Sequence, residues 1–160
     1  MSDEKRDERP DDEALRRARR RLAAEANNRG WTLAEQTSRT PREDGEMLDA
    51  AHASRHLWAP IGTAETAAYA ELLLGQVHAL LGHGTQALAH ARAAHGLLSR
   101  PDRSDWERAF AHAVLAHAAH VAGDRAQHAR EHAAAVAQAA VLEGEDRRIF
   151  DATFVTIPAP

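Results

Sequence analysis

The sequence predicts an all-α domain of six or seven helices joined by short turns, packed as antiparallel hairpins. Three observations carry that expectation. Apolar residues make up 44% of the 160-residue chain and aromatics only 4%, with alanine dominating the apolar share. Alanine is the strongest helix former and lets helices approach closely. The nine glycines and six prolines fall mostly between stretches of helical apolar spacing, where they punctuate rather than interrupt. A β-rich chain would carry more β-branched and aromatic residues.

Taken in order, residues 1–10 have no apolar period and predict a disordered tail. Over 11–28, Ala14, Leu15, Ala18, Leu22 and Ala26 recur at helical spacing, and Gly30 reads as the stop. Trp31 to Ser38 reads as a short helical turn. Thr40-Pro41-Arg42-Glu43 offers a capping hydroxyl, a proline at the first helical position and a carboxylate placed to reach back. That helix is expected to run to Trp58 and stop before Pro60 and Gly62. Thr63 caps a helix over 64–81, ended by Gly82 and Gly84, and Thr85 starts one to Leu98. After Pro101, Ser104-Asp105-Trp106-Glu107 is a second capping box, opening a helix to Ala122. Gly123 closes it, Asp124 begins another to Leu142, and a short helix covers 145–154. Residues 11–154 thus form one domain, and 155–160 a C-terminal tail that frays at Pro158-Ala159-Pro160. Short turns of this kind join antiparallel neighbours.

Composition narrows the function classes. With no cysteine, disulfides, thiol catalysis and thiolate metal centres are excluded. The first residues are charged rather than apolar, unlike a secretory signal, and no apolar run of about 18 residues exists to span a membrane. The expectation is a cytoplasmic chain. Net charge is −4, so no global field draws nucleic acid. The arginines at 16, 17, 19, 20 and 21 follow Asp11, Asp12 and Glu13 by one turn, which reads as a solvated, self-paired helix face.

Aligning Leu81-Gly82 with Ala122-Gly123 exposes a repeat of 41 residues, in which Leu74 falls on Leu115, Gly75 on Ala116 and Ala94 on Ala135. Each unit, clearest over 64–98 and 105–142, is helix, glycine turn, helix. The segment AAYAELLLGQVHALLGHGTQALAHARAAHGLL resembles a tetratricopeptide repeat, with Leu74-Gly75, Gly82, Ala87 and Ala94 at that family's small and turn positions. His128 stands where the family prefers alanine, and the period is longer than usual. AAHASRHLW, DWERAFAH and EDRRIF also resemble a family of short, uncharacterised bacterial helical proteins, which lends no activity. The tetratricopeptide resemblance implies a short right-handed superhelix of stacked hairpins and a groove lined by the first helix of each pair. Carried over, its groove positions are Tyr69, Leu72, Gln76 and Ala79, then Phe110, Ala113, His117 and His120.

That resemblance implies a protein-interaction or scaffolding module whose partner is a protein or peptide, or a second copy of the chain, with no cofactor. The competing expectation is a small-molecule or metal-binding helical protein. Its pocket would lie around His52, Arg55 and Trp58, where Arg55 takes an anionic group and Trp58 is an apolar wall. Glu46, Asp49, His52 and His56 form one stripe on the helix at 41–58, a spacing that offers carboxylate and imidazole to a divalent metal. His128-Ala-Arg-Glu131-His132 spells an inverted zincin string, but a chain this short and rich in histidine reaches that string easily. No nucleophile elbow or phosphate-binding glycine loop is present, which points away from an enzyme.

Overall fold

The computed structural model describes residues 10–160, and side chains from Asp12 onward. The expected disorder over 1–10 lies outside them except at Pro10. Seven helices follow one another: α1 (Pro10–Ala34), α2 (Pro41–Trp58), α3 (Ala64–Leu80), α4 (Gly84–Leu98), α5 (Asp105–Val121), α6 (Arg125–Ala139) and α7 (Gly144–Phe154). No strand occurs among the described residues, so the expected all-α class holds. Consecutive helices pack on each other from α1 to α6, and α3 also touches α1 and α5 while α7 lies on α5.

Local chemistry sets most of the boundaries. At α2 the Glu43 carboxylate accepts from the Thr40 backbone N–H at 2.7 Å, and the Thr40 hydroxyl accepts from the Glu43 N–H. At α5 the Glu107 carboxylate accepts from both the backbone N–H and the hydroxyl of Ser104. Thr63 and Thr66 make the corresponding exchange at α3. Gly82 and Gly123 turn the chain at φ 77° and 81°, the left-handed region that side chains disfavour.

One expectation fails, at the end of the first helix. The first helix does not stop at Gly30 but runs through it to Ala34. A Cβ on Gly30 would sit 2.7 Å from Leu73 Cδ2, so this glycine is there for close approach of α1 to α3, not for a turn. After Phe154 the chain lies against the core as far as Ile157, which is 6% exposed, whereas Pro158, Ala159 and Pro160 are exposed. The Gln76 amide donates to Thr156 Oγ1 at 2.9 Å, and His128 Nε2 donates to the carbonyl of Pro158 at 2.9 Å.

Helices α3 and α5 are the inner pair, and their middle turns are buried nearly all round, as expected of a core helix. Leu73, Leu74 and Val77 join Leu33, Met47 and Ala51 in a cluster with α1 and α2. Leu72 and the small residues of α3 join α4, α5, Phe150 and Ile157 in the larger cluster. Gly75, Ala94, Ala116 and Ala135, the expected small seam positions, are all buried. A Cβ on Gly75 would meet Ala91 and Val114 at 3.0 Å.

Candidate functional site

Tyr69 and Phe110, one repeat apart on α3 and α5, face the same side of the molecule. The capping box of α5 holds this wall in place. Glu107, its N3 residue, also accepts from the Tyr69 hydroxyl at 2.7 Å. Burial disfavours the Glu107 carboxylate, yet the hydrogen bonds from Ser104 and Tyr69, with Arg103 nearby, bring its pKa below the ordinary range. Burial, then that same carboxylate, pushes the Tyr69 phenol up to about 12, so it stays a neutral donor with a fixed ring. Trp106 stacks on Tyr69 with ring centres 5.8 Å apart. Phe110 meets Trp106, Trp31 and Phe150 edge to face at 6.1, 6.0 and 5.5 Å, the arrangement favoured by ring quadrupoles.

These rings wall a cavity of about 410 Å³, within the range of small-molecule sites. Leu72 floors it, α1 and the turn after it close it with Asn27, Asn28, Trp31 and Glu35, and α7 with Asp146 and Ile149. No lysine or arginine lines it. Glu35 is partly buried; its hydroxyl partner, Thr153 Oγ1, lies at 3.5 Å. Burial raises its pKa, against that weak hydrogen bond and the charge of Arg148. A carboxylate raised by desolvation is one that gains from a cation.

Of the eight groove positions, Tyr69, Leu72 and Phe110 reach this cavity. Gln76, Ala79, Ala113 and His117 are buried, and His120 is exposed with its ring 4.8 Å from that of His128. His117 Nδ1 lies 3.0 Å from Gln76 Oε1. The groove is closed because α7 and the segment after it lie against this face, as the Phe110–Phe150 and Gln76–Thr156 contacts record. Trp31, Glu35, Trp106, Asp146 and Ile149 were not foreseen as site residues. The signal for Trp106 was present, one turn before Phe110; that for α1 and α7 was not.

The pocket expected around His52, Arg55 and Trp58 does not assemble as a trio. Arg55 Nε donates to Glu71 at 2.7 Å and shares a shallow surface depression with Trp58 and Glu71. His52 is exposed and points elsewhere, its ring edge-on to that of His78. The metal stripe on α2 does not converge either. Glu46, Asp49, His52 and His56 are exposed, and Glu46 is taken by Arg29 at 2.6 Å. The stripe lies on the solvent side of α2, whose Met47, Ala51 and Ser54 face inward. In the inverted zincin string, Glu131 turns to His112 on α5 whereas His128 turns to Pro158. No helix among the described residues is long and apolar enough to cross a membrane.

Comparison with protein-family models, curated proteins and solved structures finds no match to this chain.

Proposed function

We propose that this protein binds a small apolar organic cation, such as an aryl- or alkylammonium compound, in the cavity between α1, α3, α5 and α7. The observation that carries the reading is the composition of that wall: Trp31, Tyr69, Trp106 and Phe110 with Glu35 and Asp146, and no basic residue. Aromatic faces attract cations electrostatically, by about 2 kcal/mol or more where water is excluded. The flanking carboxylates add long-range attraction, and the apolar body of the ligand is taken from water by Leu72 and Ile149.

The interaction-module reading of the same face is narrower than the repeat resemblance implies. Gln76 and His117 are buried away from the cavity, so a peptide laid along α3 and α5 would find them covered. A protein partner would have to enter the aromatic cavity with one apolar side chain.

The test is a tryptophan-fluorescence titration with phenyltrimethylammonium against its uncharged counterpart, tert-butylbenzene. The expected result is saturable quenching, with the cation bound about tenfold more tightly, equivalent to about 1.4 kcal/mol, and loss of that preference in Trp106→Leu. Equal binding of both compounds would remove the cation from the proposal. Binding of neither, with saturable tryptophan quenching by an apolar peptide instead, would return the function to protein recognition.

A further inference from the structure

Glu71 on α3 meets His90 on α4, and His112 on α5 meets Glu131 on α6. Both pairs are 19 residues apart, and the 41-residue period places 71 on 112 and 90 on 131. The two hairpins thus carry the same carboxylate–imidazole contact with the residue types exchanged. What surrounds each pair differs. In the first, Arg55 Nε donates to the free oxygen of Glu71 at 2.7 Å. Ser54, with its buried hydroxyl lacking a partner, stands where the second unit has His95. In the second, the nearest guanidinium, Arg130, is 3.6 Å from Glu131 Oε1 and 65% exposed, and His95 on α4 adds another imidazole.

We propose that His95, His112 and Glu131 form a binding site for a divalent transition-metal ion of the zinc kind, with one coordination position open to water. Three ligand atoms converge there. His95 Nε2 to His112 Nδ1 is 3.3 Å, His112 Nδ1 to Glu131 Oε2 is 2.8 Å, and His95 Nε2 to Glu131 Oε2 is 3.7 Å. A tetrahedral ion with nitrogen and oxygen ligands at about 2.0–2.1 Å sets its ligands about 3.4 Å apart, which is the mean scale of this triangle. Among the described residues, this is the group of three or more histidine or acidic side chains positioned to share an ion.

Proton accounting favours the same conclusion. The Ser99 hydroxyl donates to the His95 carbonyl at 2.7 Å, so toward His95 Nδ1, 3.4 Å away, it acts as an acceptor. The His95 proton is therefore on Nδ1, and its Nε2 lone pair faces His112 and Glu131. Metal-binding histidines are accompanied by such an acceptor on the far ring nitrogen, which fixes the tautomer. The remaining centre holds a lone pair, a carboxylate oxygen and one imidazole N–H that both acceptors face. Only one proton serves that point, where a divalent ion would engage all three atoms. The side chains of His95, His112 and Glu131 are 27%, 19% and 11% exposed, so solvent reaches the edge of the site.

The experiment uses the full chain without a histidine tag, stripped with chelator and titrated with Co²⁺ and then Zn²⁺. The expected result is one strong site per chain, an intense four-coordinate cobalt band displaced by Zn²⁺, and a melting temperature that rises with free zinc because the ion ties α4, α5 and α6 together. Glu131→Gln, which keeps shape, is expected to weaken binding at least tenfold and abolish the band. Ser99→Ala should weaken it about tenfold. Glu71→Gln, which alters the carboxylate of the equivalent pair in the first hairpin, should leave it unchanged. Circular dichroism checks that each variant folds. Cobalt binding within twofold of the parent in Glu131→Gln, or a weak octahedral spectrum throughout, would overturn the proposal. Loss of binding in His78→Ala with Glu131→Gln unaffected would also overturn it. Quenching by phenyltrimethylammonium is expected to be the same in Glu131→Gln, which keeps this result separate from that of the aromatic cavity.

Discussion

His117 is buried in α5, and the direction of each hydrogen bond around it can be assigned. Thr156 Oγ1 donates to the Thr153 carbonyl, so it accepts from the Gln76 amide; Gln76 Oε1 then accepts from His117 Nδ1. The ring is neutral in this chain of bonds. Burial, then His120 on the same helix and His128 on α6, lowers its pKa to about 4. His78 on α3 is lowered to about 4 as well, by burial and by His90, His83 and His52. In the unfolded chain both titrate near the ordinary imidazole value, so on acidification the unfolded state binds the protons first. Stability is complete above about pH 6.5 and is lost as pH falls toward about 4, on the order of 3 kcal/mol for His117 and less for the less deeply set His78. Asn at 117 offers an amide donor near the same place without a titrating group. Urea unfolding at about pH 7.5 and about pH 5 should show a smaller acid loss in His117→Asn than in the parent. Equal losses in the two proteins would mean that His117 does not have to stay neutral in the fold.

Among the helices, the glycines separate local from tertiary causes. Gly84 opens α4 against the end of α5, where a Cβ would lie 2.9 Å from Ala122 Cα and 3.1 Å from the Val121 carbonyl oxygen. That neighbour is backbone and cannot rotate aside, so Gly84→Ala should cost about 1–3 kcal/mol. Gly45, inside α2, has nothing within 4 Å of a built Cβ, and Gly45→Ala should stabilise by about 0.5–1 kcal/mol. Denaturation midpoints moving in opposite directions are the expected outcome; a shared direction would refute the packing argument for Gly84. The same contrast explains what could be read from the chain. Thr40, Glu43, Ser104 and Glu107 were legible because a capping box is complete within four residues. Gly30 was misread because its reason, Leu73, lies on another helix. Tyr69 and Phe110 followed from the repeat, whereas Trp31, Glu35 and Ile149 depend on where α1 and α7 dock. The His112–Glu131 contact escaped because its repeat partner, Glu71–His90, has the residue types reversed and so matches at no position.

At the scale of the molecule, two hairpins sharing a 41-residue period leave a face of α3 and α5 to be covered, and the last six residues help to cover it. Removing 155–160 deletes Ile157, worth about 1.5–3 kcal/mol as a buried aliphatic side chain. It also deletes the acceptors of Gln76 and His128. The cost of an unpartnered amide, about 1–3 kcal/mol, is reduced where water enters behind the lost segment, so a total of roughly 2–5 kcal/mol is expected. Ile157→Ala separates the apolar part, and Gln76→Leu in the shortened chain separates the polar part, since a leucine leaves no amide to satisfy. If the segment acts through both, the truncated chain is less stable than Ile157→Ala, and Gln76→Leu is less damaging in the short chain than in the full one. The aromatic cavity should survive, because Phe150 keeps α7 against Phe110. A truncated protein as stable as Ile157→Ala, with Gln76→Leu equally costly in both lengths, would mean that Thr156 and Pro158 contribute nothing and that apolar burial alone closes this end.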